Sequence, residues 1–138
     1  MSTVIYDNAE LALQQATCLF ASCKRSLLLR ISLVDAGSRD ELISHVSSEL
    51  CFPSCYGQNF DAMAEAMSDL DWILVGSAGG AWVERPNIII IVFEGVDYAI
   101  SVMPEEVRIL FDLSHDAEKY YNEQNMLSKR KLAILFSR

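Results

Sequence analysis

Three runs of apolar residues punctuate the chain: Leu27 to Val34 (broken only by Arg30 and Ser32), Ile88 to Phe93, and Leu132 to Phe136. Short unbroken runs of this kind predict strands covered on both faces. Elsewhere the apolar positions recur at helical spacing. Residues 7–24 predict a first helix, with Asp7 as cap, Glu10 three residues on, and Ala12, Ala16, Leu19, Phe20 and Cys23 along one face. Lys24 and Arg25 suit its C-terminal end. Ser38-Arg-Asp-Glu41 is a capping box opening a second helix, whose buried stripe is Leu42, Ile43, Val46 and Leu50. Phe52-Pro53 stops it, because a residue before proline avoids the α region. Tyr56-Gly57-Gln58 predicts a turn, and Asn59 caps a third helix reaching about Leu70. Pro104, Glu105 and Glu106 open a long fourth helix with Val107, Leu110, Phe111, Ser114, Ala117 and Tyr121 inside. The order α, β, α, α, β, α, β predicts an α/β fold: a small three-stranded parallel sheet packed by helices, with an extra N-terminal helix.

The 138 residues suit one domain, 1–138, long enough to bury a core without disulfide or metal staples. No apolar stretch approaches the roughly 20 residues of a membrane span. The first residues lack the basic segment of a secretory signal, so a cytoplasmic location is expected. Nineteen acids against eleven bases give a net charge of −8, which opposes nucleic acid binding and favours a basic partner. Cys18, Cys23, Cys51 and Cys55 are spaced unlike a zinc knuckle, and with His45 and His115 they predict neither a metal site nor another cofactor. No nucleophile-and-base signature surrounds Cys55, so no catalytic residue and no enzyme activity are expected. The glycine-rich segment 76–87 precedes a strand and lacks the order of a phosphate loop.

The segment from Phe52 to Trp72 carries the most chemistry. On a wheel from Asn59, the residues Met63, Ala66, Met67 and Leu70 gather on one side. Asp61, Glu65, Ser68 and Asp69 gather opposite, within about a third of the circumference. Asp61 and Glu65 repel each other at i,i+4 by a few tenths of a kcal/mol, offset in part by the helix dipole at Asp61. No lysine or arginine falls between Arg39 and Arg85. A single-sign face without local counter-ions suits a cationic partner.

The string Phe-Pro-x-x-Tyr-Gly-x-Asn-aromatic-Asp-Ala-hydrophobic, then an acid four residues after that Asp and a Leu-x-Trp, resembles the barstar family. The resemblance covers about residues 26–137 as a barstar-like core, leaving 1–25 as a helical extension. It implies a bacterial immunity protein of a toxin–antitoxin pair: a monomer that forms a 1:1 complex with a cognate ribonuclease toxin and blocks its active site. It implies contacts from Cys55, Tyr56, Asn59, Phe60, Asp61, Ala64, Glu65, Ser68, Asp69 and Trp72. Asp61 matches the family's first key aspartate, and Glu65 stands where a second usually sits. A further acid belongs on the last helix, where Asp116 and Glu118 both qualify. Cys55 replaces an aromatic contact residue and Ala64 a tryptophan. These departures favour a changed target, and the alternative is an immunity or binding protein against a partner that is not a ribonuclease.

Overall fold

Chain order in the computed structural model is β1 (Ile5–Tyr6), α1 (Ala9–Phe20), β2 (Ser26–Ser32), α2 (Arg39–Glu49) and α3 (Phe60–Asp69). It continues with β3 (Val75–Gly76), β4 (Val83–Glu84), β5 (Ile88–Glu94), α4 (Val96–Val102), α5 (Pro104–Gln124) and β6 (Lys131–Ser137). The structure describes residues 3–20, 26–53, 57–73, 75–76, 83–84 and 86–138, with 16–20, 75–76 and 83–84 described by backbone alone. The predicted contributions of Ala16, Leu19, Phe20 and Cys23 to a helix face therefore lie outside the described side chains, as does Trp82.

The main sheet is parallel and four-stranded in the order β1-β6-β5-β2, one strand more than the sequence predicts. The fourth strand is β1, in which Ile5 and Tyr6 pair with Phe136 and Ser137. Two residues are too few to show periodicity, so no sequence pattern marks it. β3 and β4 form a separate antiparallel pair inside what the sequence presents as loop.

Alternation along the strands sorts the apolar residues onto two faces. Ile31, Ile89, Ile91, Phe93, Leu132, Ile134 and Phe136 join the main core with α2, α3 and α5. Ile88, Ile90, Val92 and Ala133 point the other way, onto Ala12 and Leu13 of α1. Chain direction explains the division. From β1 the chain crosses to the far edge on the α1 side, then returns to β5 and β6 on the opposite side. Right-handed crossovers in opposite directions place their helices on opposite faces. The N-terminal helix thus lies behind the sheet, away from α3.

β5 is one of the two inner strands and is buried nearly throughout. β2 corrects a prediction: its apolar run suggests cover on both faces, but it is an edge strand, and Leu28 is 43% exposed. α1 lies over β5 and β6, and Leu28 and Arg30 of β2 are exposed. Two boundaries also differ. Asn8, not Asp7, caps α1 by accepting from the Leu11 N–H at 2.9 Å, while Asp7 faces Arg138. The seven-residue α4 precedes Pro104 and opens at Gly95, φ +77°, where a Cβ would stand 2.6 Å from Val34 Cγ2. Only glycine fits that approach and that backbone conformation.

The β6 edge beyond the reach of β1 is closed by α5 side chains. Asn122 accepts from the Leu132 N–H at 2.8 Å and donates to the Leu132 carbonyl at 3.1 Å, as a neighbouring strand would. Glu118 accepts from the Ile134 N–H at 2.8 Å. Tyr6 of β1 takes the Arg138 N–H at 3.0 Å. An edge satisfied this way offers no template for another strand.

Candidate functional site: the acidic face of α3

α3 begins where Asn59 adopts an extended conformation and its side chain accepts from the Ala62 N–H at 2.7 Å. The helix ends at Leu70, whose left-handed backbone (φ 51°) turns the chain while its side chain is buried. Met63, Ala66, Met67 and Leu70 are buried against α5 and the sheet, as the wheel predicts. That anchoring leaves one orientation for the rest of the helix. Asp61, Glu65 and Asp69 are exposed, and Phe60, Ala64 and Ser68 are half-buried along the flank. Ser68 turns its hydroxyl inward, donating to the Ala64 carbonyl at 2.7 Å. The structure therefore gathers Asn59, Phe60, Asp61, Ala64, Glu65, Ser68 and Asp69 on one helix and presents three carboxylates to solvent. Cys55 and Tyr56 lie outside the described residues.

Trp72 stands apart from this row. Its indole N–H donates to the Leu50 carbonyl at 3.0 Å, and its ring meets Phe52 edge-on at 5.8 Å. It fastens the end of α3 to the end of α2 and is half-buried.

One residue the sequence reasoning passed over borders the site. Arg39, the first residue of α2, holds its guanidinium over the Phe60 ring, 5.2 Å from the centroid. Its other neighbour is Glu106 of α5, at 3.8 Å. The acidic row therefore has a cation at its N-terminal end, contrary to the single-sign face that sequence spacing suggests. A weak signal existed: a cation in the first turn of a helix opposes the helix dipole, so Arg39 does not serve α2 itself.

The two acids of the last helix separate cleanly. Glu118 is half-buried and committed to Ile134. Burial raises its pKa above the ordinary carboxylate value, against the lowering effects of the Ile134 N–H and of His115. Asp116 is exposed and lies about 160° around α5 from Glu118. Among the described residues, no group of three His, Cys, Asp or Glu side chains is placed to hold a metal ion, and no helix is long and apolar enough to cross a membrane.

A capped amphipathic helix with an outward carboxylate row, docked on a parallel sheet, coincides with a known family. The family model described as Barstar (barnase inhibitor) matches residues 27–133. The chain belongs to the barstar family. The match runs from β2 to the middle of β6 and contains the whole of α3. β1 and α1, which add the fourth strand and cover the back of the sheet, precede it. A search of individually curated proteins gives no match. By its family description, barstar is an inhibitor rather than an enzyme, and its partner barnase is a ribonuclease.

Proposed function

We propose that the protein is an immunity protein that inhibits a cognate ribonuclease toxin by setting α3 into the enzyme's substrate cleft. The observation that carries this reading is the row Asp61, Glu65 and Asp69, exposed on a helix whose opposite side is fixed in the core. A ribonuclease cleft holds fixed positive charge for RNA phosphates, and carboxylates on a rigid helix occupy the same places. Asn59 and Phe60 form the leading end of the contact, with Ala64 and Ser68 on its flank and Asp116 as the acid contributed by α5. The segment holding Cys55 and Tyr56 leads into the same end of α3. Inhibition by occlusion needs no catalytic group, metal or cofactor. The setting is the cytoplasm, with a monomer forming a 1:1 complex.

Coupling between close charge pairs in barnase–barstar itself, a relative, is about 1.5–7 kcal/mol. Removing one exposed acid here is expected to cost about 1–3 kcal/mol of affinity. The test is an RNA-cleavage assay with the nuclease encoded beside this gene, titrated with the wild type and with Asp61→Ala/Glu65→Ala. Stoichiometric inhibition that the double variant loses supports the reading. Full inhibition by the double variant removes α3 from the interface.

A second reading keeps the immunity role but changes the target class. Ala64 favours it, because a half-buried methyl stands where the family resemblance places a large aromatic contact. Tight binding to the neighbouring gene product without any ribonuclease activity to block would select this reading.

A further inference from the structure

Arg39 is held without being used. Its side chain is 55% exposed, its guanidinium lies over the Phe60 ring, and its one ion-pair neighbour among the described residues, Glu106, stands at 3.8 Å, beyond hydrogen-bond distance. None of its five N–H donors therefore has a hydrogen-bond acceptor among the described residues. The Phe60 ring and Glu106 together hold the guanidinium in place at this end of α3. The position is a poor one for α2, since the first turn of a helix favours anions, as Asp40 and Glu41 do beside it. A cation held there against the local preference, at the leading end of an acidic row, is arranged for something outside the molecule.

We infer that Arg39 is a specificity-determining contact that pairs, through its planar fork, with a carboxylate on the ribonuclease beside its phosphate-binding cleft. The inference rests on the α3 docking proposed above. Two considerations select the partner's chemistry. A planar guanidinium matches a carboxylate with two parallel hydrogen bonds, a geometry that an ammonium cannot reproduce. Cleavage of RNA through its own 2′-hydroxyl needs a general base, and a carboxylate is one of the common choices. An inhibitor that offers acids to the phosphate site and one guanidinium to that base covers both signs of charge in the cleft. It also disfavours nucleases that present a cation at the same place, which is how specificity among related targets arises.

The experiment measures kon, koff and Kd for wild type, Arg39→Ala, Arg39→Lys and Asp61→Ala against two probes, barnase and the nuclease encoded beside this gene. Melting temperature is recorded for each variant. Arg39→Ala is expected to weaken binding about tenfold to a hundredfold, chiefly in koff, because a charge-assisted pair is lost. Arg39→Lys keeps a cation over Phe60 and beside Glu106, so it should restore the melting temperature but not the affinity. An alanine scan of the partner's carboxylates should then find one that is non-additive with Arg39→Ala. Affinity unchanged by Arg39→Ala while Asp61→Ala weakens it overturns the inference alone. Full recovery of affinity by lysine overturns the fork argument. Binding of neither probe by the wild type, or binding indifferent to both Asp61 and Arg39, overturns the docking of α3 itself.

Discussion

Glu118 offers the sharpest test of how the sheet edge is held. Its carboxylate accepts from the Ile134 N–H at 2.8 Å, on the part of β6 that the two-residue β1 does not reach. Glu118→Ala removes the acceptor and leaves that N–H without a protein partner, which costs about 1–3 kcal/mol. Glu118→Gln keeps a carbonyl oxygen at the same place and removes the charge. Burial raises the Glu118 pKa, so the folded protein holds this proton more tightly than the unfolded chain does. Stability from a raised carboxyl group is present in full below its unfolded value, near 4.3, and is lost as pH rises through the folded value. At neutral pH the glutamine variant is therefore at least as stable as wild type. As pH falls through the raised pKa, wild type gains on it. Urea melts at several pH values between 7 and 4 measure both effects, and at this chain length a kcal/mol corresponds to roughly 3–6 °C in Tm. Glutamine as destabilising as alanine, or a wild-type disadvantage that grows on acidification, would refute the reasoning.

Trp72→Phe should cost about 0.5–1.5 kcal/mol of stability through the lost bond to the Leu50 carbonyl, with affinity for the proposed ribonuclease target unchanged; a loss of affinity at full stability would give Trp72 a direct contact as well. Asn59→Ala removes the cap of α3 and should lower stability by about 1 kcal/mol, read by chemical denaturation, while Asn59→Gly costs only a few tenths. Deleting residues 3–20 uncovers Ile88, Ile90 and Val92 on the back of the sheet, so the truncated chain should bind a hydrophobic dye and self-associate in analytical ultracentrifugation. Association of the 138-residue chain with the ribonuclease proposed as its target should slow as salt rises, through kon far more than koff; a flat salt response would contradict the electrostatic reading.

The sequence made α3 legible because three separate signals coincide there. Asn59 caps it, Met63, Ala66, Met67 and Leu70 repeat at helical spacing, and the acids fall on the remaining arc. Each signal is local, so none needs the fold. The same holds for Ser38 and Glu41 of α2, where Ser38 accepts from the Glu41 N–H at 3.3 Å. What stayed hidden depends on distant pairing. β1 exists only because β6 lies beside it, and a two-residue strand carries no pattern of its own. β2 looks like a central strand by composition, but its place at the edge follows from the direction of the crossovers. Arg39 and Phe60 are separated by twenty intervening residues and meet only once α2 and α3 pack. The different surroundings of Asp116 and Glu118 could not be read from spacing, since they turn on which side of α5 faces β6. Trp72 is among the contacts the resemblance implies, and its hydrogen bond to the Leu50 carbonyl adds a role in the fold that spacing did not show, because it depends on how α2 ends.

The division of labour within α3 bears on how such a protein changes over time. Asp61 and Glu65 have no hydrogen bond or ion pair within the described protein, while the cap and the buried stripe hold the helix in place without them. Replacing the outward acids therefore carries little penalty in folding, and a lineage is free to alter them one at a time as its target drifts. The stripe of Met63, Ala66 and Met67 has no such freedom, because each change there opens a cavity or overfills the core. Variation among relatives should accordingly concentrate on the outer arc of one helix, with the inner arc held nearly constant, so that new targets are matched without a new fold.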